Sequence, residues 1–343
     1  MLLKTIHSVE KTENGYRLHG DNADVMLVFM TDDMIRVRVS FDRAFKEESY
    51  TLVTTAWPDR MDGLLAGERR RITALDIPCE ETEKTLTFRT ATLRLVLRKC
   101  PFSLLLYTAD GELIYQDLRE RAFERDQLGR LSHYSRMDRA HDHFYGFGEK
   151  TGHLDKKGRR LRMSPKDAIG HDPENGDPMY KHIPFYVRIN DEQRHALGLF
   201  YHNSYDSVFD MGQEISGYWD PYCYYQTDGG DIDLFLLNGP SVAAVLDCYT
   251  QLTGRSALPT KQSLGYCAST SGEQDNLRYV FNWNYRRFPD PAGFFAKMNE
   301  MGINVIPNLK PGILKNHPYM PMFEKNDVFI KTPDGSGDYY GRW

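Results

Sequence analysis

Hydrophobic and polar residues alternate along much of the first two-thirds of the chain. In IRVRVSF (35–41) every second residue is apolar, and LRLVL (93–97) repeats the pattern. This period of two predicts strands with one buried and one solvent-facing side. Asp110 and Gly111 separate two apolar runs, and this dipeptide predicts a hairpin because both turn positions must accept a positive φ. Further strand-like runs are HIPFYVRI (182–189), ALGLFYHN (196–203), YCYYQT (222–227) and IDLFLLN (232–238).

No convincing helix pattern interrupts these runs, so residues 1–237 are predicted to form an antiparallel β-sandwich. A helix is predicted next, over residues 240–253. Pro240 suits its first turn, and Gly254 stands where a C-terminal cap belongs. The apolar residues at helical spacing are Val242, Val245, Leu246, Tyr249 and Leu252.

The last part of the chain has a pattern of strands and helices in alternation. LGYCAS (264–269) is a short apolar run that predicts a strand. Asp290 is predicted to cap a second helix that Pro291 starts and Gly302 ends, and residues 303–307 follow as a buried strand. The apolar face of that helix is formed by Phe294, Phe295, Met298 and Met301. We therefore predict a β-sandwich domain over residues 1–257 and the start of a parallel α/β fold over residues 258–343.

Composition narrows the class of protein. The 343 residues are 41% hydrophobic and 27% charged, as in soluble globular proteins. The net charge of −5 disfavours a nucleic-acid binder. No apolar run is long enough for a membrane span, and the first residues turn polar too early for a signal peptide, so a cytoplasmic location is predicted. The five cysteines are scattered without a CxxC spacing and are predicted to be buried thiols: Cys79, Cys100, Cys223, Cys248 and Cys267.

Three polar motifs carry weak signals. His141 and His143 would share one face of a strand as a metal pair might, but no third ligand lies at a telling spacing. The basic run at residues 156–162 fits a solvated hairpin better than a phosphate site. GFGEK (146–150) resembles a phosphate loop only superficially, because no amphipathic helix follows it.

Aromatic and acidic residues are better leads to a site. Trp283 precedes the second helix and would stand at the active face if a barrel strand ends there. A long loop at 163–177 brings several carboxylates that could accept hydrogen bonds from sugar hydroxyls. These carboxylates are Asp167, Asp172, Glu174 and Asp177. The aromatic cluster of residues 218–225 is interpreted as core packing rather than as a ligand site; it comprises Tyr218, Trp219, Tyr222, Tyr224 and Tyr225.

Five stretches together resemble family 31 glycoside hydrolases, a family of α-glucosidases, α-xylosidases and transglucosidases. They are FYGFGEKTG (144–152), DPMYKHIPFYV (177–187), LFYHNSYDSVFDMG (199–212), NGPSVAAVLDCYTQLTGRSALP (238–259) and FNWNYRRFPDPAGFFAKMNEMGINVIPNLKPGIL (281–314). The resemblance implies a mostly β chain that turns to α/β: a galactose-mutarotase-like antiparallel β-sandwich, then a (β/α)₈ barrel. It also implies cleavage of terminal α-linked sugars with retention, by two aspartates about 5–5.5 Å apart, with no metal and no organic cofactor.

The catalytic aspartates of the family are not found among these residues. A (β/α)₈ barrel takes about 250 residues, and the stretch after Pro259 supplies roughly a third of them. The family's nucleophile lies in a later WxDMNE-like motif, and too little chain lies at Thr270–Ser271 for the expected helix and strand. The sequence is thus expected to be a fragment or a discontinuous sequence. The positions that match the family's substrate-binding groups are Asp167, Asp172, Trp283 and Lys310, none of them a catalytic acid or base.

Two functions follow from these observations. The first is the N-terminal portion of a cytoplasmic retaining α-glycosidase, an α-glucosidase or transglucosidase acting on small oligosaccharides. The second is a non-catalytic carbohydrate-binding or assembly module that kept the sandwich and lost the barrel. Nucleic acid, membrane and cofactors are not expected as partners. The sequence leaves open the sugar, the linkage, the balance of hydrolysis and transfer, and the oligomeric state, a homo-oligomer included.

Overall fold

A computed structural model describes residues 1–64, 69–265, 277, 279–307, 309 and 312–341. The chain divides into two compact units, Met1–Arg255 and Ser256–Trp343. The described residues of the first unit form strands and one α-helix, α1 (Val242–Thr253). The strands, in chain order, are β1 (Ile6–Thr12), β2 (Gly15–Gly20), β3 (Asp24–Thr31), β4 (Met34–Ser40), β5 (Thr54–Thr55), β6 (Arg70–Arg71), β7 (Glu80–Glu81), β8 (Thr85–Arg89), β9 (Leu93–Lys99), β10 (Phe102–Thr108), β11 (Leu113–Gln116), β12 (Phe123–Arg125), β13 (Leu131–Arg136), β14 (Asp142–Gly148), β15 (Arg160–Met163), β16 (His182–Asn190), β17 (His195–Tyr201), β18 (Ser207–Asp210), β19 (Tyr222–Thr227) and β20 (Ile232–Asn238).

Three antiparallel sheets enclose the main core of the first unit. An eight-stranded sheet has the order β1-β2-β3-β4-β20-β17-β16-β14, and the two five-stranded sheets have the orders β11-β10-β9-β8-β7 and β12-β13-β19-β18-β15. Apolar side chains from all three sheets pack together between them, among them Leu199, Phe88 and Tyr225. The predicted antiparallel β-sandwich is thus confirmed, and the period-two pattern of the sequence is its cause.

The eight-stranded sheet is buried on its second face as well. Alternate residues of β20 contribute to two different cores, Leu234 and Leu236 to the main one and Phe235 and Leu237 to the other. Helix α1 covers the second core with three buried residues at helical spacing. These residues are Val245, Cys248 and Leu252. A strand buried on both faces is mostly apolar, which explains the five apolar residues of the run IDLFLLN.

The prediction of a solvent-facing side for residues 35–41 is wrong. Arg36 and Arg38 of β4 are each only 2% exposed. β4 lies in the interior of its sheet, between β3 and β20. Asp233 of β20 and Glu47 pair with the Arg36 guanidinium, so charged residues can occupy the covered face.

The predicted hairpin and helix are confirmed with shifted details. β10 and β11 pair on either side of the Asp110-Gly111 turn, but only Gly111 has a positive φ, at +95°. Helix α1 begins after Ser241, whose Oγ accepts the Ala244 N–H at 3.2 Å. Pro240 therefore precedes the cap instead of lying in the first turn, and Gly254 ends the helix with a φ of +92°.

The second unit contains a 3₁₀ turn (Lys261–Leu264) and the helices α2 (Pro291–Glu300) and α3 (Met320–Lys325). Asp290 caps α2 by accepting the Gly293 N–H at 3.0 Å, as predicted. Residues 303–307 do not form the predicted buried strand, and Ile306 is 87% exposed. A parallel strand needs neighbouring strands to bond its backbone, and the described part of this unit contains isolated bridges but no strand. Residues 266–269 of the other predicted strand and the Thr270–Ser271 junction lie outside the described residues.

The cysteines are not all buried. Cys223 and Cys248 are buried and Cys79 is half-buried, but Cys100 is exposed. Cys100 lies in the turn between β9 and β10, where the chain reverses at the surface, so its side chain has no core to enter. Cys267 lies outside the described residues. Among the described residues, no helix is long and apolar enough to cross a membrane.

Candidate functional site

The loop of residues 164–181 joins β15 to β16 and carries the carboxylates that the sequence analysis selected. Asp167 is exposed, and one carboxylate oxygen accepts a hydrogen bond of 2.5 Å from the Tyr180 hydroxyl. The same bond raises the pKa of Tyr180. Since the two residues lie at opposite ends of the loop, the bond braces it. An ionised carboxylate has acceptor sites for several donors, so Asp167 can also accept hydroxyls of a ligand.

Asp172 has a different role in the same loop. Its Oδ1 accepts the Glu174 N–H at 2.8 Å, and its Oδ2 accepts the Asn175 side-chain amide at 3.2 Å. Its backbone carbonyl accepts the Gly176 N–H at 2.7 Å. The bonds from Glu174 and Asn175 lower the pKa of Asp172. Asp172 therefore holds a local turn, and of the two aspartates Asp167 is the better candidate for a ligand.

The base of the loop is clamped by Lys150 and Asp177. The Lys150 ammonium lies 2.7 Å from one Asp177 carboxylate oxygen and also donates to the Arg162 carbonyl. The second Asp177 oxygen accepts the Arg162 N–H at 2.6 Å. The Lys150 side chain is 1% exposed, and burial lowers its pKa although the ion pair opposes the shift. The segment GFGEK thus anchors the loop, a role that the sequence analysis missed because sequence spacing carries no sign of this pairing.

Trp283 belongs to the second unit. Its ring is 38% exposed and packs edge-to-face on Phe288 and Phe295, with centroid distances of 6.5 and 5.9 Å. An indole fixed by aromatic neighbours and partly open to solvent can stack on a ligand. Lys310 lies outside the described residues. The assignment of Asp167, Asp172, Trp283 and Lys310 to substrate binding stays a prediction.

The two histidines are engaged by carboxylates. His143 Nδ1 lies 2.7 Å from Asp155, and His141 Nδ1 lies 2.8 Å from Asp191. The bond with Asp191 raises the pKa of His141. Asp138 and Glu192 bring ligand atoms within 4.8 Å of one another and of His141. The sequence analysis missed these neighbours, and Glu192 is far from the others in sequence. Exposed groups of this kind are common without a metal ion.

The aromatic cluster of residues 218–225 divides into two parts. Tyr222 and Tyr225 are buried in the sandwich, which confirms core packing for them, and Tyr224 is half-buried. Core packing is wrong for Tyr218, which is 95% exposed, and for Trp219, which is 36% exposed. Both exposed residues precede β19, outside the alternation of the strand, so no sheet covers them.

Comparison with known proteins identifies two family models in succession along the chain. The N-terminal galactose mutarotase-like domain of glycosyl hydrolase 31 matches residues 24–210, and the TIM-barrel domain of glycosyl hydrolases family 31 matches residues 241–343. "Alpha-glucosidase 2" of Bacillus thermoamyloliquefaciens is 30% identical and aligns with 98% of this chain and 43% of its own length. "Alpha-xylosidase XylQ" of Lactiplantibacillus pentosus is 25% identical, over 58% of this chain and 29% of its own length.

Solved structures have the same fold. The GH31 dextranase of Flavobacterium johnsoniae, complexed with glucose, superposes with a TM-score of 0.78 at 21% identity, over 99% of this chain and 42% of that one. A GH31 alpha-xylosidase from a soil metagenome, complexed with xylose, gives a TM-score of 0.70 at 12% identity, over 96% and 51% of the two chains. The chain spans less than half the length of the curated relatives named here.

Proposed function

Because the chain belongs to glycoside hydrolase family 31, we propose that it is the N-terminal part of a retaining α-glycosidase that removes terminal α-linked sugars from small oligosaccharides. The observation that carries the proposal is the match of both family models in order, together with an α-glucosidase that is 30% identical over 98% of the chain. We propose an α-glucosidase or transglucosidase, since the relative that is 30% identical is an α-glucosidase, whereas the α-xylosidase is 25% identical.

Retaining cleavage needs two carboxylates, one to attack the anomeric carbon and one to protonate the leaving oxygen, held about 5–5.5 Å apart. No aspartate of this chain matches the family motif for either role. We therefore assign substrate binding, not bond cleavage, to the candidate site residues of this chain. Asp167 accepts hydrogen bonds from sugar hydroxyls, and Trp283 stacks on a sugar face. Because an ionised acceptor strengthens such bonds, Asp167 is the main orienting group.

The experiment that tests the proposal begins with the gene. The coding sequence is read beyond Trp343 and across Thr270–Ser271, and the full-length product is assayed with p-nitrophenyl α-glucoside and maltose. We expect a WxDMNE-like segment downstream and release of glucose with retention of the α-anomer, which NMR of the fresh product detects. A stop codon directly after Trp343, or a full-length product without glycosidase activity, would instead support a non-catalytic carbohydrate-binding or assembly module.

Two finer parts of the proposal concern the full-length product: a cytoplasmic location and assembly as a homo-oligomer. Fractionation of the source cells and size-exclusion chromatography with light scattering of the full-length product test them separately from the activity.

A further inference from the structure

One end of the sandwich holds a groove that the proposed function does not use. Arg136 at the end of β13 pairs with Tyr222 at the start of β19, so the segments 137–141 and 211–221 meet at this end. A cavity of about 200 Å³ and a cleft of about 640 Å³ lie here, and Arg139 and Pro221 line both. We call the two together the sandwich-end groove, with Arg136, Arg139, Arg188, Asn190, Glu214 and Trp219 among its lining residues.

The sandwich-end groove is separate from the loop 164–181. In the antiparallel pair of β15 and β18, Met163 is opposite Ser207 and Arg160 is opposite Asp210. The loop 164–181 leaves the pair beyond Met163, whereas the segment 211–221 leaves it beyond Asp210, at the opposite end. A ligand in the groove would thus not compete with a sugar on Asp167.

Three polar groups of the groove, those of Arg188, Asn190 and Glu214, are held in place by bonds within the protein. Arg188 donates to the buried Asp142 carboxylate at 2.5 Å and to the Arg136 carbonyl at 3.1 Å. The Asn190 amide donates to the other Asp142 oxygen at 3.1 Å. Glu214 accepts the Tyr222 hydroxyl at 2.7 Å. Groups fixed in this way lose little conformational entropy when they bind a ligand.

Charge and shape point to a neutral ligand with many hydroxyl groups. Three arginines and three carboxylates line the groove, namely Arg136, Arg139, Arg188, Asp138, Glu214 and Asp220. Their formal charges cancel, so the groove has no preference for an anion. A hydroxyl group both donates and accepts hydrogen bonds. The arginines of the groove can donate to its oxygen, and the carboxylates can accept its hydrogen. The exposed Trp219 indole offers an apolar face of the kind that packs on the C–H face of a pyranose ring. The larger cleft falls within the usual range of about 300–1,000 Å³ for small-molecule sites.

We infer that the sandwich-end groove is a second carbohydrate site, which binds an α-linked gluco-oligosaccharide without cleaving it. The choice of sugar rests on the proposed function, whereas the site itself rests on the groove. Such a site would keep an oligosaccharide close to the protein while other sugar chains are cleaved. For this reason the site would affect the processing of oligosaccharides and not that of a small aryl glucoside.

Affinity electrophoresis of the full-length product tests the inference, in native gels that contain amylopectin or dextran. Wild-type protein is expected to be retarded by at least one of the two glucans. Trp219→Ala and Arg139→Met are each expected to weaken the retardation by about fivefold or more, as loss of one stacking ring or one hydrogen-bond donor does. Tyr50→Ala, which removes an exposed aromatic ring elsewhere on the sandwich, is the matched control and should migrate like wild type.

The outcomes separate this inference from the proposed function. Wild-type protein that neither glucan retards, or variants that are retarded like wild type, would overturn the groove as a carbohydrate site. Hydrolysis of p-nitrophenyl α-glucoside by Trp219→Ala should equal that of wild type; retardation without any hydrolysis would instead sink the proposed function alone. Trp219→Phe keeps an aromatic face and is expected to restore most of the retardation, which a purely structural role of the indole would not predict. Near-ultraviolet circular dichroism checks that each variant is folded.

Discussion

Arg36 is buried although the alternating pattern around it predicts that it faces solvent. Its guanidinium donates to both oxygens of Asp233, at 2.8 and 2.7 Å, and to Glu47 at 2.9 Å. The Trp57 ring covers it with a centroid distance of 3.9 Å. Every charge is paired and the cation lies against an aromatic face, so burial is tolerated.

Removing one partner from this group should be costly. Asp233→Asn leaves Arg36 buried without its main counter-charge, and we expect the free energy of unfolding to fall by about 3–5 kcal/mol. Burial by itself would raise the pKa of Asp233, but Arg36 and Arg38 hold it well below its ordinary range. The stabilisation is therefore present above the unfolded pKa of about 4 and is lost as the pH falls further.

Urea unfolding between pH 3 and pH 7 measures both effects. Wild-type stability should decrease as the pH is lowered below about 4, and the decrease should be smaller for Asp233→Asn. Glu80→Gln breaks the exposed pair with Arg89 and serves as the control, with an expected loss of at most about 1 kcal/mol. Equal losses for the two variants would contradict the proposed importance of burial.

Thiol reactivity should follow burial. Cys100 is exposed, whereas burial raises the pKa of the Cys248 thiol to about 11 and that of Cys223 further still. Because the thiolate is the reacting form, Cys100 should react with Ellman's reagent at neutral pH much faster than Cys223 and Cys248. Cys100→Ser is expected to remove one equivalent from the fast phase. A fast phase of unchanged size in that variant would show that Cys100 is protected.

Asp167 is the residue on which the substrate-binding proposal depends most. Asp167→Asn in the full-length product removes a charge-assisted hydrogen bond of about 1.5–3 kcal/mol, so kcat/KM should fall by about 10- to 150-fold. Glu174→Gln neutralises another exposed carboxylate of the same loop and should leave kcat/KM within about twofold of wild type. Thermal melting verifies the fold. A kcat/KM unchanged in Asp167→Asn would remove Asp167 from the site.

At the scale of secondary-structure elements, helix α1 owes its stability to one face. Leu252 is fully buried against the eight-stranded sheet, and Leu246 on the same helix is 44% exposed. Leu252→Ala should destabilise the protein by about 2–5 kcal/mol, because it removes transfer free energy and leaves a cavity. Leu246→Ala makes the same chemical change at the surface and should cost less than about 1 kcal/mol. Similar values from chemical denaturation would mean that α1 is not packed as described.

The sequence pattern predicted elements well where neighbours in sequence decide the structure. The strands of the sandwich and the cap at Asp290 follow from local alternation and local side-chain chemistry. Prediction failed where distant residues decide. Burial of Arg36 depends on Asp233, and the Lys150–Asp177 clamp depends on how a long loop folds back. The strand expected at 303–307 failed for the same reason, since parallel strands exist only with partners.

At the scale of the whole molecule, the central prediction is that this 343-residue chain alone does not hydrolyse α-glucosides. Neither family motif for the two catalytic carboxylates occurs in it, and retaining cleavage requires both. The assay compares release of p-nitrophenol by the chain and by the full-length product at equal concentration. Comparable turnover by the two would mean that the nucleophile and the acid lie within these residues.

Exposed apolar side chains in the second unit should make the isolated chain prone to aggregation. Several of its apolar side chains are largely exposed, including Met301, Ile306 and Leu309. Exposed apolar groups in such number favour association, so the chain alone should aggregate as its concentration rises. Light scattering of the chain and of the full-length product, across a dilution series, measures the difference.

The pairing of β4 with β20 also affects folding during synthesis. Arg36 and Asp233 are separated by 197 residues, so at about 5–20 residues per second Asp233 is synthesised roughly 10–40 s after Arg36. During that interval β3 and β4 can form a hairpin whose open edge lacks β20. Arg36 and Arg38 on that edge strand, which until then lack Asp233 and Asp231, deter pairing with a neighbouring nascent chain, as charges on edge strands do. The same side chains that stabilise the finished sheet thus protect the unfinished one.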